Sequence, residues 1–133
     1  MRKHRALKGR VALVFGGARG IGEAIVRRLA KDGASVALTY VTSPERAAET
    51  VRAAEAEGVR ALAIRADSQD ADAVKGAVEH TLDRFGRLDI VVVNAGILMG
   101  GTIDAFSLTD FDKMVAVNVR GVFAAPHFAA PRM

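Results

Sequence analysis

Four short apolar runs, separated by longer segments of mixed polarity, organise this chain of 133 residues. The runs cover residues 11–15, 36–40, 61–64 and 90–93, and every gap between them is long enough for a helix. Such short continuous runs of aliphatic residues are typical of strands buried in a parallel sheet. Because crossovers between parallel strands are right-handed, the alternation predicts an α/β domain with an open parallel sheet, strand order 3-2-1-4 and helices on both faces.

The gaps between the runs carry the pattern of amphipathic helices. In the first gap Ile21, Ala24, Ile25 and Leu29 recur at helical spacing, which gives that helix one apolar face. A Ser or Asp side chain caps the free N–H groups at a helix start, and glycine accepts the backbone conformation that ends a helix. Residues of these types bound the gaps: Ser43-Pro44 and Asp70 at starts, and Gly33, Gly58 and Gly86 at ends.

The segment after the fourth run predicts a loop and then a further helix. Residues 95–107 form a glycine-rich stretch, and Ser107 and Asp110 stand three positions apart, as in a capping box. A helix is predicted from there through Val122. Pro126 lacks an N–H group and clashes with the turn before it, so we expect a kink or an early stop at that residue.

Composition bounds the size and the core of the protein. Half of the residues are hydrophobic but only 5% are aromatic, so the core must consist of small aliphatic side chains. The length fits a single domain over residues 1–133, without linkers. Because five of the 19 basic residues fall within the first ten, residues 1–9 are interpreted as a solvated basic tail.

Several classes of protein are not expected from this composition. The net charge is +4, but aromatic residues are not interleaved with the basic ones, so nucleic-acid binding is not predicted. The chain has no cysteine, which favours a cytoplasmic location, and it shows no pattern of a metal site. It has no apolar stretch of signal-peptide or transmembrane length, so no membrane association is expected.

A glycine-rich turn between the first run and the first helix is the strongest candidate site. Glycines at such a turn let a nucleotide pyrophosphate approach the backbone N–H groups at the positive end of the helix. A tight β-α connection without a ligand would use the same residues, but the strand before and the helix after favour nucleotide binding. The residues assigned to this site are Gly16, Ala18, Arg19, Gly20, Ile21 and Gly22.

The end of the second run bears on which nucleotide is bound. An Asp or Glu at this place usually holds the ribose 2′-hydroxyl, but here Tyr40 is followed by Val41 and Thr42. Arg19 and Arg46 could instead meet a 2′-phosphate, which favours NADP over NAD, and we place Tyr40 and both arginines in the cofactor site. Two ordinary surface arginines would have the same appearance.

Four motifs in order and at matching spacing make the chain resemble the short-chain dehydrogenase/reductase family, in the NADPH-dependent group that includes 3-oxoacyl-acyl-carrier-protein reductases. The motifs are the turn at 15–22, Asp67-Ser68, Gly86-Arg87-Leu88-Asp89 and Val93-Asn94-Ala95-Gly96. The resemblance implies that Asp67, with Ser68 beside it, binds the adenine amino group. It also implies that Asn94 ties the central strand to its neighbour and that Ala95 and Gly96 border the adenine ribose.

The chain departs from the family pattern at residues that bind cofactor and at residues that catalyse. Phe15 replaces a threonine of the turn and Val93 replaces the first asparagine of its motif, which puts cofactor affinity in question. Of the catalytic Asn, Ser, Tyr and Lys, the asparagine alone has a match, Asn118, which the resemblance places in a proton relay. Asn118 would also suit a packing role, and Tyr40, the one tyrosine, has Pro44 at the lysine spacing.

By resemblance, the protein is an NADP-dependent oxidoreductase that transfers a hydride between a cofactor and a ketone or 3-oxoacyl substrate. We expect a C-terminally truncated chain, the N-terminal half of a Rossmann-like fold, that is inactive alone because Ser and Tyr-x-x-x-Lys are missing. A non-catalytic nucleotide-binding or assembly module and an inert fragment are the alternatives. The run at 90–93 would be an uncovered sheet edge, so homo-oligomerisation is expected in any assembled form.

Overall fold

A computed structural model describes residues 5–133 and contains strands and helices in alternation. The elements are β1 (Val11–Phe15), α1 (Gly20–Lys31), β2 (Ser35–Tyr40), α2 (Pro44–Glu55), β3 (Ala61–Arg65), α3 (Ala71–Phe85), β4 (Ile90–Val93), α4 (Leu108–Val115) and α5 (Gly121–Ala129). A π-helical segment, Ala116–Arg120, joins α4 to α5, and a short 3₁₀ turn, Ala130–Arg132, follows. Within residues 5–133, no helix is both long and apolar enough to cross a membrane.

The sheet has the predicted topology. Its four strands are all parallel and lie in the order β3-β2-β1-β4, with β1 hydrogen-bonded to both β2 and β4. Side chains alternate along β1, so Leu13 and Phe15 belong to an apolar cluster with α3 and α5. Val14 belongs to a second cluster with α1 and α2. The predicted arrangement, helices on both faces of an open parallel sheet, is therefore confirmed.

The predicted starts of α2, α3 and α4 and the predicted end of α3 agree with the observed ones, whereas α1 and α2 end at Lys31 and Glu55, a few residues before Gly33 and Gly58. The Asp70 carboxylate accepts hydrogen bonds from the N–H groups of Asp72 and Ala73 at the start of α3, and Gly86 ends the helix with φ at 81°. The Ser107 hydroxyl accepts from the Asp110 N–H at the start of α4. Ser43 precedes α2 and Pro44 is its first residue, although the Ser43 side chain makes no capping hydrogen bond.

The early stop expected at Pro126 is wrong. Helix α5 runs through Pro126 to Ala129, and the irregular backbone lies before it, in the π-helical segment 116–120. Ala125 and Ala129 are fully buried against the apolar side of α3. Tertiary burial of this face outweighs the single hydrogen bond and the local strain that a proline costs a helix.

The N-terminal residues that the structure describes lie against the domain. The Arg5 guanidinium donates to the carbonyls of Ala30, Lys31 and Glu57 at distances of 2.8, 3.2 and 2.8 Å. A cation at the carboxyl ends of helices interacts favourably with their dipoles. Arg5 is thus held at the ends of α1 and α2, while Ala6, Lys8 and Gly9 are exposed to solvent. Residues 1–4 of the predicted tail lie outside the described residues.

The carboxylate of Asp89, the residue before β4, links the start of β4 to the start of β1. It accepts hydrogen bonds from the Val11 N–H at 2.9 Å and from the Arg87 guanidinium at 2.7 and 2.8 Å. The Arg10 Nη1 atom lies 3.7 Å from the Asp89 Oδ1 atom. The hydrogen bond from Arg87, followed by the Val11 N–H and the charge of Arg10, holds the pKa of Asp89 below its usual range.

A depressed folded-state pKa predicts an acid-dependent loss of stability. Asp89 stabilises the fold above its unfolded pKa of about 4, and this contribution is lost as the pH falls through its lower folded pKa. We expect Asp89→Asn to lower the urea midpoint at neutral pH and to lose less stability than the unsubstituted chain as the solution is acidified below about pH 4. Parallel pH profiles of the two midpoints, with a constant difference, would contradict this role.

Candidate functional site

The carboxyl ends of the four strands meet at one edge of the sheet, and β1 lies there between β2 and β4. The chain proceeds from β1 to β2 and β3 on one side and then returns through α3 to β4 on the other side, and such a reversal of strand order opens a crevice at the switch point. The segments that line this edge carry the predicted cofactor residues, namely Gly16, Ala18, Arg19, Gly20, Ile21 and Gly22 after β1, Tyr40 and Arg46 at β2 and α2, Asp67 and Ser68 after β3, and Asn94, Ala95 and Gly96 after β4. The fold therefore gathers all of them at one edge.

Close approach of backbone segments explains the glycines of the turn. Gly16 has φ at 77°, and a Cβ atom there would lie 2.9 Å from the Ala95 Cα. A Cβ atom on Gly22 would collide with the Gly16 carbonyl oxygen and would lie 2.7 Å from the Asn94 amide nitrogen. The turn can take this path between β4 and α1 only because both positions lack a side chain.

Hydrogen bonds from two strands hold the turn. The Gly16 N–H donates to the Thr39 Oγ1 atom at 3.0 Å, and the Gly17 N–H donates to the Thr39 carbonyl at 3.1 Å. On the other side, the Asn94 Nδ2 atom donates to the Gly16 carbonyl at 3.1 Å, so this amide ties the end of β4 to the turn. Sequence reasoning missed Thr39, although a hydroxyl inside a buried apolar run was a usable signal.

The start of α1 offers positive potential to a ligand. Arg19 is its N-cap residue and makes no side-chain hydrogen bond to the helix, so the first N–H groups of α1 keep the partial positive charge of a helix N-terminus. Arg19 and Ile21 are exposed and Ala18 is buried. Arg46 is exposed in the first turn of α2, the helix that follows β2. A phosphate group could be bound at the turn with further cations nearby.

The loop after β3 holds Asp67 and Ser68 in different surroundings. The Asp67 carboxylate accepts from the Gln69 N–H at 3.1 Å and from the Gln69 side chain at 2.9 Å. Ser68 is buried beside the start of α5, where a Cβ atom on Gly121 would lie 2.7 Å from the Ser68 carbonyl oxygen. Sequence reasoning missed Gly121, whose small size lets α5 approach this loop.

Asn118 uses both polar atoms of its side chain on the backbone of one residue. Its Oδ1 atom accepts from the Ile97 N–H at 2.9 Å, and its Nδ2 atom donates to the Ile97 carbonyl at 2.7 Å. Asn118 stands in the π-helical segment, and a Cβ atom on Gly96 would lie 3.3 Å from its Oδ1 atom. The amide therefore positions the loop that follows Asn94.

The two residues that depart from the motifs of the resemblance, Phe15 and Val93, lie side by side in the sheet. Phe15 and Val93 are direct partners in the register between β1 and β4. Phe15 is buried and Val93 packs against the same apolar cluster under α3 and α5. Two polar side chains of the family pattern are thus replaced by an apolar contact, while the hydrogen bonds to the turn come from residues 39 and 94.

The sequence of the whole chain is similar to those of known proteins. The family model described as short chain dehydrogenase matches residues 10–133. The chain belongs to this family. A 3-oxoacyl-acyl-carrier-protein reductase of Staphylococcus aureus is 38% identical to this member over 122 residues, which are 92% of the chain and 50% of that reductase.

Solved structures of the family share this fold. A short chain dehydrogenase of Burkholderia cenocepacia in complex with NADP is 52% identical with a TM-score of 0.94, covering 96% of this chain and 52% of that one. A blue fluorescent protein from a metagenomic library, in complex with NADPH, is 46% identical with a TM-score of 0.92, covering 96% and 53%. The chain spans about half the length of these relatives.

The crowding around Gly22 predicts a severe effect of one methyl group. Gly22→Ala should lower the free energy of unfolding by about 1 to 3 kcal/mol or more, because backbone atoms must move to accept the new Cβ atom. Gly76→Ala is the control, since nothing lies within 4 Å of a Cβ atom on that exposed glycine of α3. It should gain about 0.5 to 1 kcal/mol from the higher helix propensity of alanine. Equal urea midpoints for the two variants would refute the close approach.

Proposed function

We propose that this chain is the cofactor-binding half of an NADP(H)-dependent oxidoreductase. The observation that carries the proposal is the cradle at the end of β1, where Gly16 and Gly22 leave no room for a Cβ atom and α1 presents an N-terminus without a side-chain cap. Backbone N–H groups and a helix dipole in this arrangement suit a pyrophosphate. The residues present therefore fit a dinucleotide.

The remaining site residues are proposed to bind the rest of the cofactor. The edge after β2 reads Val41-Thr42-Ser43 and lacks a carboxylate, while Arg19 and Arg46 expose guanidinium groups that suit a 2′-phosphate. Ala95 and Gly96 would border the ribose, and Tyr40, Asp67 and Ser68 would surround the adenine end. The NADP and NADPH bound by the two related structures support NADP over NAD for this chain.

In the proposed activity this chain binds the cofactor, and residues outside these 133 supply the proton donor. When bound, a reduced nicotinamide would supply a hydride to a carbonyl carbon, and the oxidised form would take a hydride from the corresponding alcohol carbon. Reduction of the carbonyl also needs a proton donor for the developing alkoxide, and this chain has no Tyr-x-x-x-Lys pair because its one tyrosine, Tyr40, precedes Pro44 at that spacing. Asn118 acts through Ile97 as a positioning residue for the loop beside the site.

Substrate and assembly follow from the same proposal. The name of the Staphylococcus aureus relative supports a 3-oxoacyl or related ketone substrate. Exposed apolar side chains along α4, the π-helical segment and α5 support assembly with further protein surface, and Leu108, Val119 and Phe123 are 80%, 63% and 67% exposed. A homo-oligomer and a cytoplasmic location stay predictions.

Cofactor binding and turnover can be measured separately on the purified chain. We expect calorimetric titration to detect NADPH binding, and we expect no carbonyl-dependent loss of NADPH absorbance, because the proton donor is missing from these 133 residues. Turnover by this chain alone would contradict the division of labour proposed above. A cooperatively folded chain without NADPH binding would favour an assembly module, and a chain without cooperative unfolding would favour an inert fragment.

The assignment of the 2′-phosphate site predicts a selective loss of affinity. Arg19→Ala and Arg46→Ala should each weaken NADPH binding by about tenfold, because a charge-assisted hydrogen bond to phosphate is lost, and should leave NADH binding unchanged. Arg52→Ala removes an equal charge from the last turn of α2, away from the site, and serves as the control. A uniform decrease across all three variants would indicate general electrostatic attraction instead.

A further inference from the structure

Thr39, in the neighbouring strand β2, has a buried hydroxyl group that is hydrogen-bonded to the glycine turn. It lies next to the last residue of β2 and is only 1% exposed. Its Oγ1 atom accepts the Gly16 N–H at 3.0 Å, and its carbonyl accepts the Gly17 N–H at 3.1 Å. One residue therefore satisfies the first two donors of the turn.

The residue at position 15 makes this contact more important in this chain. Phe15 occupies the place where the family pattern has threonine, and its side chain is buried in the apolar cluster under α3 and α5. It offers no hydroxyl to the turn. Within residues 5–133, the hydroxyl that reaches the Gly16 backbone comes from Thr39, on the opposite neighbour of β1 from Asn94.

These contacts hold one peptide segment from two sides. The Gly16 N–H is bound from β2 by Thr39, and the Gly16 carbonyl is bound from β4 by Asn94 at 3.1 Å. Glycine at a positive φ of 77° otherwise has more backbone freedom than any other residue. Fixing both polar groups selects one orientation of the turn before a ligand arrives.

We propose that Thr39 is a positioning residue for the cofactor phosphates, acting through the Gly16 backbone. The proposal rests on the proposed function and adds a residue that contacts no cofactor itself. Its Oγ1 atom keeps the turn in the conformation that the pyrophosphate needs, so binding does not bear the entropic cost of ordering the glycines. Removal of this acceptor should therefore weaken affinity more than it weakens folding.

The test compares two buried threonines with different partners. Thr39→Val removes the acceptor of the Gly16 N–H and keeps the shape of the side chain. Thr81→Val removes a hydroxyl that is equally buried in α3 and donates to the Ala77 carbonyl at 2.8 Å, far from the turn. We expect NADPH affinity to fall by about tenfold in Thr39→Val and to stay unchanged in Thr81→Val. Thr39→Ser, which restores the hydroxyl, should restore affinity.

Amide hydrogen exchange separates this proposal from the proposed function. The Gly16 N–H should exchange faster in Thr39→Val than in Thr81→Val and should regain protection in Thr39→Ser. If Thr39→Val does not fold, Thr39→Ala takes its place in both measurements. Unchanged Gly16 exchange, or NADPH affinities that follow thermal stability alone, would overturn the role of Thr39. A lack of NADPH binding by the unsubstituted chain, with Thr39-dependent exchange intact, would overturn the proposed function and leave Thr39 with a structural role only.

Discussion

The hydrogen bonds at Gly16 are the constraint on which the candidate site depends. Its N–H is bound by Thr39 from β2 and its carbonyl by Asn94 from β4, while Gly22 passes so close that no Cβ atom fits. The central strand can therefore turn into α1 in one way. Because the start of α1 and the loop after β4 both contact this peptide, the position of the N–H groups proposed to bind the pyrophosphate follows from it.

The substitutions at residues 15 and 93, relative to the family pattern, do not remove the hydrogen bonds at Gly16. The family pattern has polar residues at both positions, and this chain has Phe15 and Val93, which face each other across β1 and β4. These two apolar residues together extend the cluster under α3 and α5. The turn keeps its hydrogen bonds because they come from other residues.

A second anchor lies where α4 passes into α5. The π-helical segment presents Asn118 to both backbone groups of Ile97, and Gly121 admits the loop that contains Ser68. Single π-helical turns are often found at functional sites, where the wider turn redirects a side chain. Here it lets one helical region hold the loops after two different strands, and α5 stays helical beyond Pro126 because its alanines pack against α3.

The sequence by itself determined the strands, most helix boundaries, the sheet order and the glycine turn, since apolar periodicity, capping residues and right-handed crossovers are local or general rules. It did not reveal that Thr39 and Asn94 share Gly16, at separations of 23 and 78 residues, or that Asn118 binds Ile97 across 21 residues. It also predicted a kink or an early stop at Pro126, and the helix does not stop there. Only the tertiary structure decided these points, because hydrogen bonds and burial between distant residues depend on how the strands and helices pack, and local preference gives way to that packing.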